Sequence, residues 1–347
     1  MASEVSLDAD KVRRFVEAEV PGFENAEVKV RRHPGGHSCE TWRLNVNGER
    51  WILRRPPRGK VQQGASNMAR EYRIISALRD SPVPVPKTIA LGEDPDVIGA
   101  PFFIMEEVDG VVLRQGFSSE YEDSPQRRAA IGKSVVDTLV AIHSVDWRAI
   151  GLERHGKPET FLQRNLSLMY EQWLNVKQRP IDAIEKIAEY LRGHVPECSD
   201  ATIVHGDYKL DNLMWKRDEL AEVAAVLDWE ISTLADPLVD LGWLRGFWCD
   251  PADRRALVMM GQAPQADGGF LSRDELVEYY ADQSGRDLEL LPWFEAFGMW
   301  KIAIIMEASY ARYLNGHSDD TMFAMLDLIV PALADAGLEA LSRAKLL

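Results

Sequence analysis

Val204-His205-Gly206-Asp207-Tyr208-Lys209-Leu210-Asp211-Asn212, followed a little later by Val226-Leu227-Asp228-Trp229, is the stretch on which the reading of this chain turns. Residues 212 to 216 (Asn-Leu-Met-Trp-Lys) and 223 to 228 (Val-Ala-Ala-Val-Leu-Asp) each read as a short apolar strand, and Lys216-Arg217-Asp218-Glu219 marks the turn between them. In an antiparallel hairpin the start of the first strand lies opposite the end of the second. Asn212 and Asp228 therefore meet at one end, with Asp207 in the loop just before it. In-line phosphoryl transfer asks for one carboxylate to orient and deprotonate an attacking hydroxyl, and for hard oxygen ligands that hold magnesium against nucleotide phosphates. Asp207, Asn212 and Asp228 are the right types. With residue frequencies of about 5%, a chance His-x-Asp-x4-Asn in such a chain has odds of about one in twenty, and the downstream strand ending in Asp makes coincidence much rarer.

Working outward, the 347 residues and 46% apolar content suffice for one large or two modest domains with a proper core. A net charge of -15 argues against nucleic acid or an anionic membrane as the main partner, while leaving room for a local basic pocket. Cys39, Cys198 and Cys249 are scattered and show no CxxC spacing, so neither a disulfide framework nor a zinc site is indicated and a reducing compartment fits. The N-terminus is polar and acidic and no continuous apolar run of about eighteen residues occurs, so neither a signal peptide nor a membrane span is expected. The cytoplasm is the expected location.

Val12, Phe15, Val16 and Val20 follow helical spacing until Pro21-Gly22. Strands are expected over 26–32, 41–46 and 50–53, with Asn47-Gly48 as a tight turn and Gly35-Gly36-His37-Ser38 between the first pair. A helix over about 66–79 carries Glu71 beside the stripe Met68, Tyr72, Ile75 and Leu78. Pro82-Val83-Pro84-Val85-Pro86 is extended, and the apolar strand in 101–110 runs into an acidic linker. Beyond Gly110 the pattern is mostly helical, with 127–143 and 159–177 as clear cases and 261–269 as a loop. Asp236-Pro237 opens another helix and places Asp240 in its first turn. Lys301 and Arg312 fall on nearly one face of the run 293–314, where they either receive an anionic acceptor or pair with acids such as Glu307. Taken alone, the glycine pair is a hairpin tip, Glu71 with Arg70 a solvated charge pair, and 106–108 an exposed turn.

His205-Gly206-Asp207 through Asn212, Leu227-Asp228-Trp229-Glu230 and Asp236-Pro237-Leu238-Val239-Asp240-Leu241 resemble the aminoglycoside phosphotransferase and choline kinase family, a small-molecule branch of the protein-kinase-like fold. The similarity runs over nearly the whole chain, and its wording is most like the kinase-like domains fused in some organisms to acyl-CoA dehydrogenases. This resemblance implies an α+β, two-lobed fold. A small, mainly antiparallel-sheet N-lobe over 1–108 would bind nucleotide, and a larger, mostly helical C-lobe over 109–347 would carry catalysis and the substrate site. It also implies Asp207 as catalytic base, His205 as the residue bracing the catalytic loop, Asn212 and Asp228 as magnesium ligands, and Asp240 as anchor of the loop backbone. Gly35, Gly36, His37 and Ser38 would close over the phosphates, and backbone groups from Glu106 to Val108 would meet the adenine edge.

Arg54, steadied by Glu71, stands where the family has a lysine, with Arg55 as the second candidate; an arginine there is a departure, as is Cys39 at a position usually polar. The cofactors implied are ATP, with GTP as the other option, and magnesium. The implied partner is a small molecule whose hydroxyl accepts the phosphoryl group, a hydroxyacyl-CoA on the strength of the dehydrogenase-fused domains. An aminoglycoside or other amino-alcohol is the alternative. A nucleotide-binding pseudokinase or regulatory module is the alternative of another class; intact Asp207, Asn212 and Asp228 argue against it.

Overall fold

Strand alternation in the first hundred residues sorts side chains to two faces of one sheet. In the computed structural model, which describes residues 7–33, 39–56, 68–114, 117, 123–198, 200–219, 221–251, 264–318 and 321–347, five antiparallel strands lie in the order β1-β2-β3-β5-β4. They are β1 (Val28–Arg32), β2 (Glu40–Val46), β3 (Glu49–Arg55), β4 (Thr88–Gly92) and β5 (Phe102–Glu106). The β2–β3 turn has Asn47 and Gly48 at φ 51° and 92°, the left-handed pair that a two-residue hairpin of this twist requires. Trp51, Leu53, Phe102 and Ile104 point to one face and pack with Val12 and Val16 of helix α1 (Ala9–Glu19), which Asp8 caps. Burying each of those valines contributes roughly 1.5–3 kcal/mol. Ile52, Phe103 and Met105 point the other way, toward Ile74, Ile75 and Leu78 of α2 (Met68–Leu78). Their cluster continues into the rest of the molecule.

After the short α3 (Pro95–Ile98) and β5, the strand β6 (Val111–Val112) pairs with β8 (Leu213–Trp215), which forms a hairpin with β9 (Val223–Val226). The remainder is mainly helical: α4 (Pro125–His143), α5 (Pro158–Val176), α6 (Asp182–Gly193), α7 (Leu238–Phe247), α8 (Arg273–Ser284), α9 (Leu291–Leu314) and α10 (Leu326–Arg343). A two-stranded ladder of β7 (Thr202–Val204) and β10 (Thr233–Ala235) lies between them. This is the two-lobed kinase-like α+β arrangement. Instead of a plain loop over 261–269, residues 264–267 form a 3-10 turn before Gly268-Gly269, and 261–263 lie outside the described residues.

Helix α9 is the spine of the second half. Its neighbour α7 approaches so closely that a Cβ on Gly242 would lie 2.6 Å from the Phe294 carbonyl, a contact only glycine permits. That approach sets the height of Lys301 on α9 against Trp243 on α7. Among the described residues, the stretch 321–343 is long and apolar enough to cross a membrane, with mean hydropathy 1.6. Asp327, Asp335 and Glu339 interrupt it, so the sequence has no continuous apolar run there. Its buried residues, Ile329, Val330, Leu333, Ala334 and Leu341 among them, belong to the helical core, as expected of an amphipathic core helix.

Candidate active site

The hairpin does bring its ends together. Leu213 pairs with Val226 across the ladder, and the Leu227 N–H donates to the Asn212 carbonyl at 2.8 Å, so Asp228 emerges beside Asn212. Asp228 has φ +67°, a left-handed backbone unusual for a residue with a side chain, and its carboxylate is about one-third exposed.

Asp207 is held from two sides. Its Oδ1 accepts from the Trp243 indole N–H at 3.0 Å; its Oδ2 accepts from Asn212 Nδ2 at 2.9 Å and lies 3.4 Å from Lys209 Nζ. Asn212 Nδ2 also donates to the Asp207 carbonyl at 2.8 Å. With its nitrogen so committed, Asn212 has its side-chain carbonyl oxygen left for another partner, at the hairpin end that also carries Asp228. One amide and one carboxylate oxygen fit magnesium, which takes few protein ligands and completes its shell with phosphate and water.

The loop carrying Asp207 is fixed from below. Asp240, fully buried, accepts the backbone N–H groups of His205 and Gly206 at 2.6 and 2.7 Å. His205 accepts the Asp207 N–H at Nδ1 (3.2 Å), which leaves Nε2 as the donor to the Leu227 carbonyl (2.8 Å). One ring nitrogen thus braces the loop internally and the other ties it to the hairpin. Gly206 has φ +83°, and a Cβ there would sit 3.0 Å from the Ile231 carbonyl oxygen. Tyr208, fully buried, donates to the Val135 carbonyl of α4 at 2.7 Å. Below Asp240, His143 Nε2 lies 3.4 Å from its Oδ2, and His143 Nδ1 is 2.7 Å from the Tyr280 hydroxyl. Burial pushes the His143 pKa down against the pull of Asp240.

Above the hairpin, Arg54 bridges two acids: Nη1 to Glu71 Oε1 at 2.5 Å and Nη2 to Asp228 Oδ1 at 2.8 Å. Burial pushes the Glu71 carboxyl up to about 7 against the pull of Arg54. Burial also opposes the charge on Arg54, but Glu71 and Asp228 more than offset it. Arg55 points to the opposite face, where it is fully buried, pairs with Glu40 at 2.7 Å and donates to the Ile98 carbonyl. Strand alternation thus puts Arg54, and not Arg55, on the face that meets Asp228. Cys39 is buried beside Arg54, with its thiol pushed up to about 11 by burial, so it is an inert thiol rather than a nucleophile.

At the end of β5, the Glu106 N–H is taken by the Lys87 carbonyl and the Glu107 N–H by that of Arg50, while Val108 makes no backbone hydrogen bond among the described residues. Val108 therefore keeps both backbone groups for another partner. Gly35, Gly36, His37 and Ser38 lie outside the described residues. Lys301 and Arg312 are not brought together: eleven residues of helix separate them by about 16 Å. Arg312 is exposed and bonds Ser309, whereas Lys301 Nζ lies 4.7 Å from the centre of the Trp243 ring. Trp243 and Lys209 carried no assignment from the sequence. Lys209 stood two residues after Asp207 in the quoted motif, whereas Trp243 reaches the site only through the packing of α7.

The profile of the phosphotransferase enzyme family, APH, matches residues 29–276, most of the chain. The chain belongs to the APH phosphotransferase family. Acyl-CoA dehydrogenase family member 11 of Rattus norvegicus is 33% identical over 342 residues, covering 96% of this chain and 43% of that protein. The human protein of the same name is 30% identical over 344 residues, with 97% and 43% covered. This APH-family chain therefore spans about two fifths of the length of those relatives. A crystal structure from Ralstonia eutropha, assigned as an aminoglycoside phosphotransferase, superposes with a TM-score of 0.82 at 32% identity, covering 97% of this chain and 99% of that one. The aminoglycoside phosphotransferase APH(4)-Ia, in a ternary complex with ADP and hygromycin B, shares the fold at a TM-score of 0.61 and 15% identity, with 95% and 98% covered. As an APH-family member the chain is a phosphotransferase of the small-molecule kinase type.

Proposed function

We propose that this phosphotransferase moves the terminal phosphoryl group of ATP to a hydroxyl of a small metabolite, and that the metabolite is a hydroxyacyl thioester of the coenzyme A kind. The observation that carries the reading is the clamped carboxylate: Asp207 held by Trp243 on one oxygen and by Asn212 on the other, at the same hairpin end as Asp228. Asp207 takes the proton of the acceptor hydroxyl, that oxygen forms its bond to the γ-phosphorus, and the bond from phosphorus to the β,γ-bridging oxygen breaks to release ADP. Asn212 and Asp228 would hold magnesium, whose chemistry is to neutralise charge on the phosphate oxygens. Arg54, paired with Asp228, and Lys209, beside Asp207, would supply two further cations for the same phosphates, and the backbone at Glu106 to Val108 would meet the adenine edge. His205 acts through the loop it braces and touches no reacting atom.

The acceptor class rests on the relatives. They are named as acyl-CoA dehydrogenase family members and carry this region within chains more than twice its length, so a kinase acting on the same acyl carrier fits that partnership. The purified chain, given magnesium-ATP and a pool of hydroxyacyl-CoAs, aminoglycosides, choline-like alcohols and sugars, should add a phosphate mass to the hydroxyacyl-CoAs. Transfer to the aminoglycosides alone would replace this acceptor with a cationic one; nucleotide binding without any transfer would favour a regulatory module.

A further inference from the structure

Two lysines flank Asp207, and only one is accounted for by the phosphates. Lys209 lies 3.4 Å from Asp207 Oδ2 with its ammonium 5.1 Å from the Phe247 ring centre. Lys301 comes from the far side. Its ammonium lies 4.7 Å from the centre of the Trp243 ring, whose indole N–H is the donor to Asp207 Oδ1. Trp243 and Phe247 stand side by side on α7, ring centres 5.1 Å apart, so the two cations sit on neighbouring rings of one helix, beside the carboxylate that Trp243 holds. Lys301 is half-buried, and among the described residues no carboxylate, carbonyl or hydroxyl accepts a hydrogen bond from its ammonium. Burial pushes its pKa down while Asp207 and Asp240 pull it back up, as expected of a cation that has left water without finding a direct partner.

A lone ammonium with three unused donors beside the base is a site for an oxygen of the substrate. An ammonium-bearing acceptor would be repelled there by both lysines. Resting on the phosphotransfer reading above, we propose that Lys301 is a specificity-determining residue that receives the carboxyl-derived oxygen of the acceptor, a carboxylate or a thioester carbonyl, close to the hydroxyl being phosphorylated. Trp243 holds the base by its N–H and the Lys301 ammonium by its ring face. The acceptor is then a hydroxy acid or its thioester, as distinct from a simple or amino alcohol.

Three probes of one chain length separate the possibilities: a hydroxybutyryl thioester, free hydroxybutyrate, and a butanediol that lacks the carbonyl. Calorimetric titration of each into the magnesium-ADP-loaded chain should show the carbonyl-bearing probes binding about 10- to 100-fold more tightly than the diol, the range for one hydrogen bond to a charged group. Lys301→Met should erase that preference and Lys301→Arg restore part of it. Whichever carbonyl probe loses the larger share of its preference in Lys301→Met identifies acid or thioester as the source. Equal loss for all three probes, or an undiminished preference in Lys301→Met, overturns the assignment. Transfer is measured separately: binding that follows this pattern with no phosphoryl transfer to either probe refutes the hydroxyacyl acceptor of the reading above while the Lys301 site stands. Thermal unfolding of both variants excludes a folding defect as the cause.

Discussion

Trp243→Phe removes one hydrogen bond and leaves most of a ring in place. In the wild type that indole N–H is, among the described residues, the donor to Asp207 Oδ1, at 3.0 Å, while Oδ2 keeps Asn212 and Lys209 at 2.9 and 3.4 Å. A hydrogen bond to an ionised acceptor contributes about 1.5–3 kcal/mol. If its whole value lies in holding the carboxylate toward the hydroxyl, kcat falls by about 10- to 100-fold at roughly 1.4 kcal/mol per factor of ten. The two contacts on Oδ2 make the lower figure the better expectation. Trp243 is 6% exposed, so the smaller ring also leaves a void costing about 1–3 kcal/mol of stability, and turnover must be read well below the unfolding midpoint. The assay is steady-state phosphoryl transfer to the best acceptor at saturating ATP, with nucleotide affinity measured in parallel. A kcat within twofold of wild type, or a loss confined to nucleotide KM, would refute the role given to this bond.

Three further outcomes are expected. Arg54→Met leaves the fully buried Glu71 without its cation and should cost about 3–5 kcal/mol. Glu71 stands at about 7 against an ordinary 4.5, so the folded chain takes up a proton that the unfolded chain lacks, and stability from this group is lost as pH rises from 4.5 through 7. Denaturant unfolding of Arg54→Met should therefore show greater damage near about pH 8 than near about pH 6; equal damage at both would contradict the assignment. His155 is buried against Ser232, and burial together with Arg70 and Arg73 depresses it from 6.5 to about 3. Its neutral form is kept in the fold, so stability present above 6.5 is lost as pH falls toward 3, by up to ~1.4 kcal/mol per pH unit. His155→Gln should flatten that slope, and an unchanged slope would exclude His155 as its source. Asp240→Asn keeps the shape of the anchor but takes away one acceptor from the His205 and Gly206 amides, so the transfer rate should drop at least about tenfold and unfolding should become easier by about 2–4 kcal/mol; wild-type turnover in that variant would remove Asp240 from the account.

What was legible in the sequence was whatever the chain itself keeps together. Asp207, Asn212 and Asp228 lie on one loop and one hairpin, so strand pairing alone predicts their meeting, and the Asn47-Gly48 turn is encoded in two residues. The choice between Arg54 and Arg55 was also open to a period-two argument, since Ile52 and Arg54 must share a face opposite Trp51, Leu53 and Arg55. Trp243 and Lys301 were not legible in the same way. Their distance from Asp207 depends on how closely α7 and α9 approach, a contact between glycines and a backbone carbonyl that no local pattern announces. The helical period puts Lys301 and Arg312 at nearly the same angle, yet eleven residues of rise carry them apart, so Lys301 meets Trp243 while Arg312 bonds Ser309. The stack from Asp240 through His143 to Tyr280 escaped for a related reason: it joins α7, α4 and α8 through buried polar contacts that look like core residues in sequence.

The central claim is that Asp207 is the base for phosphoryl transfer to an acceptor hydroxyl. A single-turnover measurement on Asp207→Ala tests it most directly, with magnesium-ATP bound and a hydroxyacyl-CoA as acceptor, and with nucleotide affinity determined on the same preparation. Transfer should slow by about a hundredfold or more, with nucleotide binding intact. Transfer at the wild-type rate would contradict it.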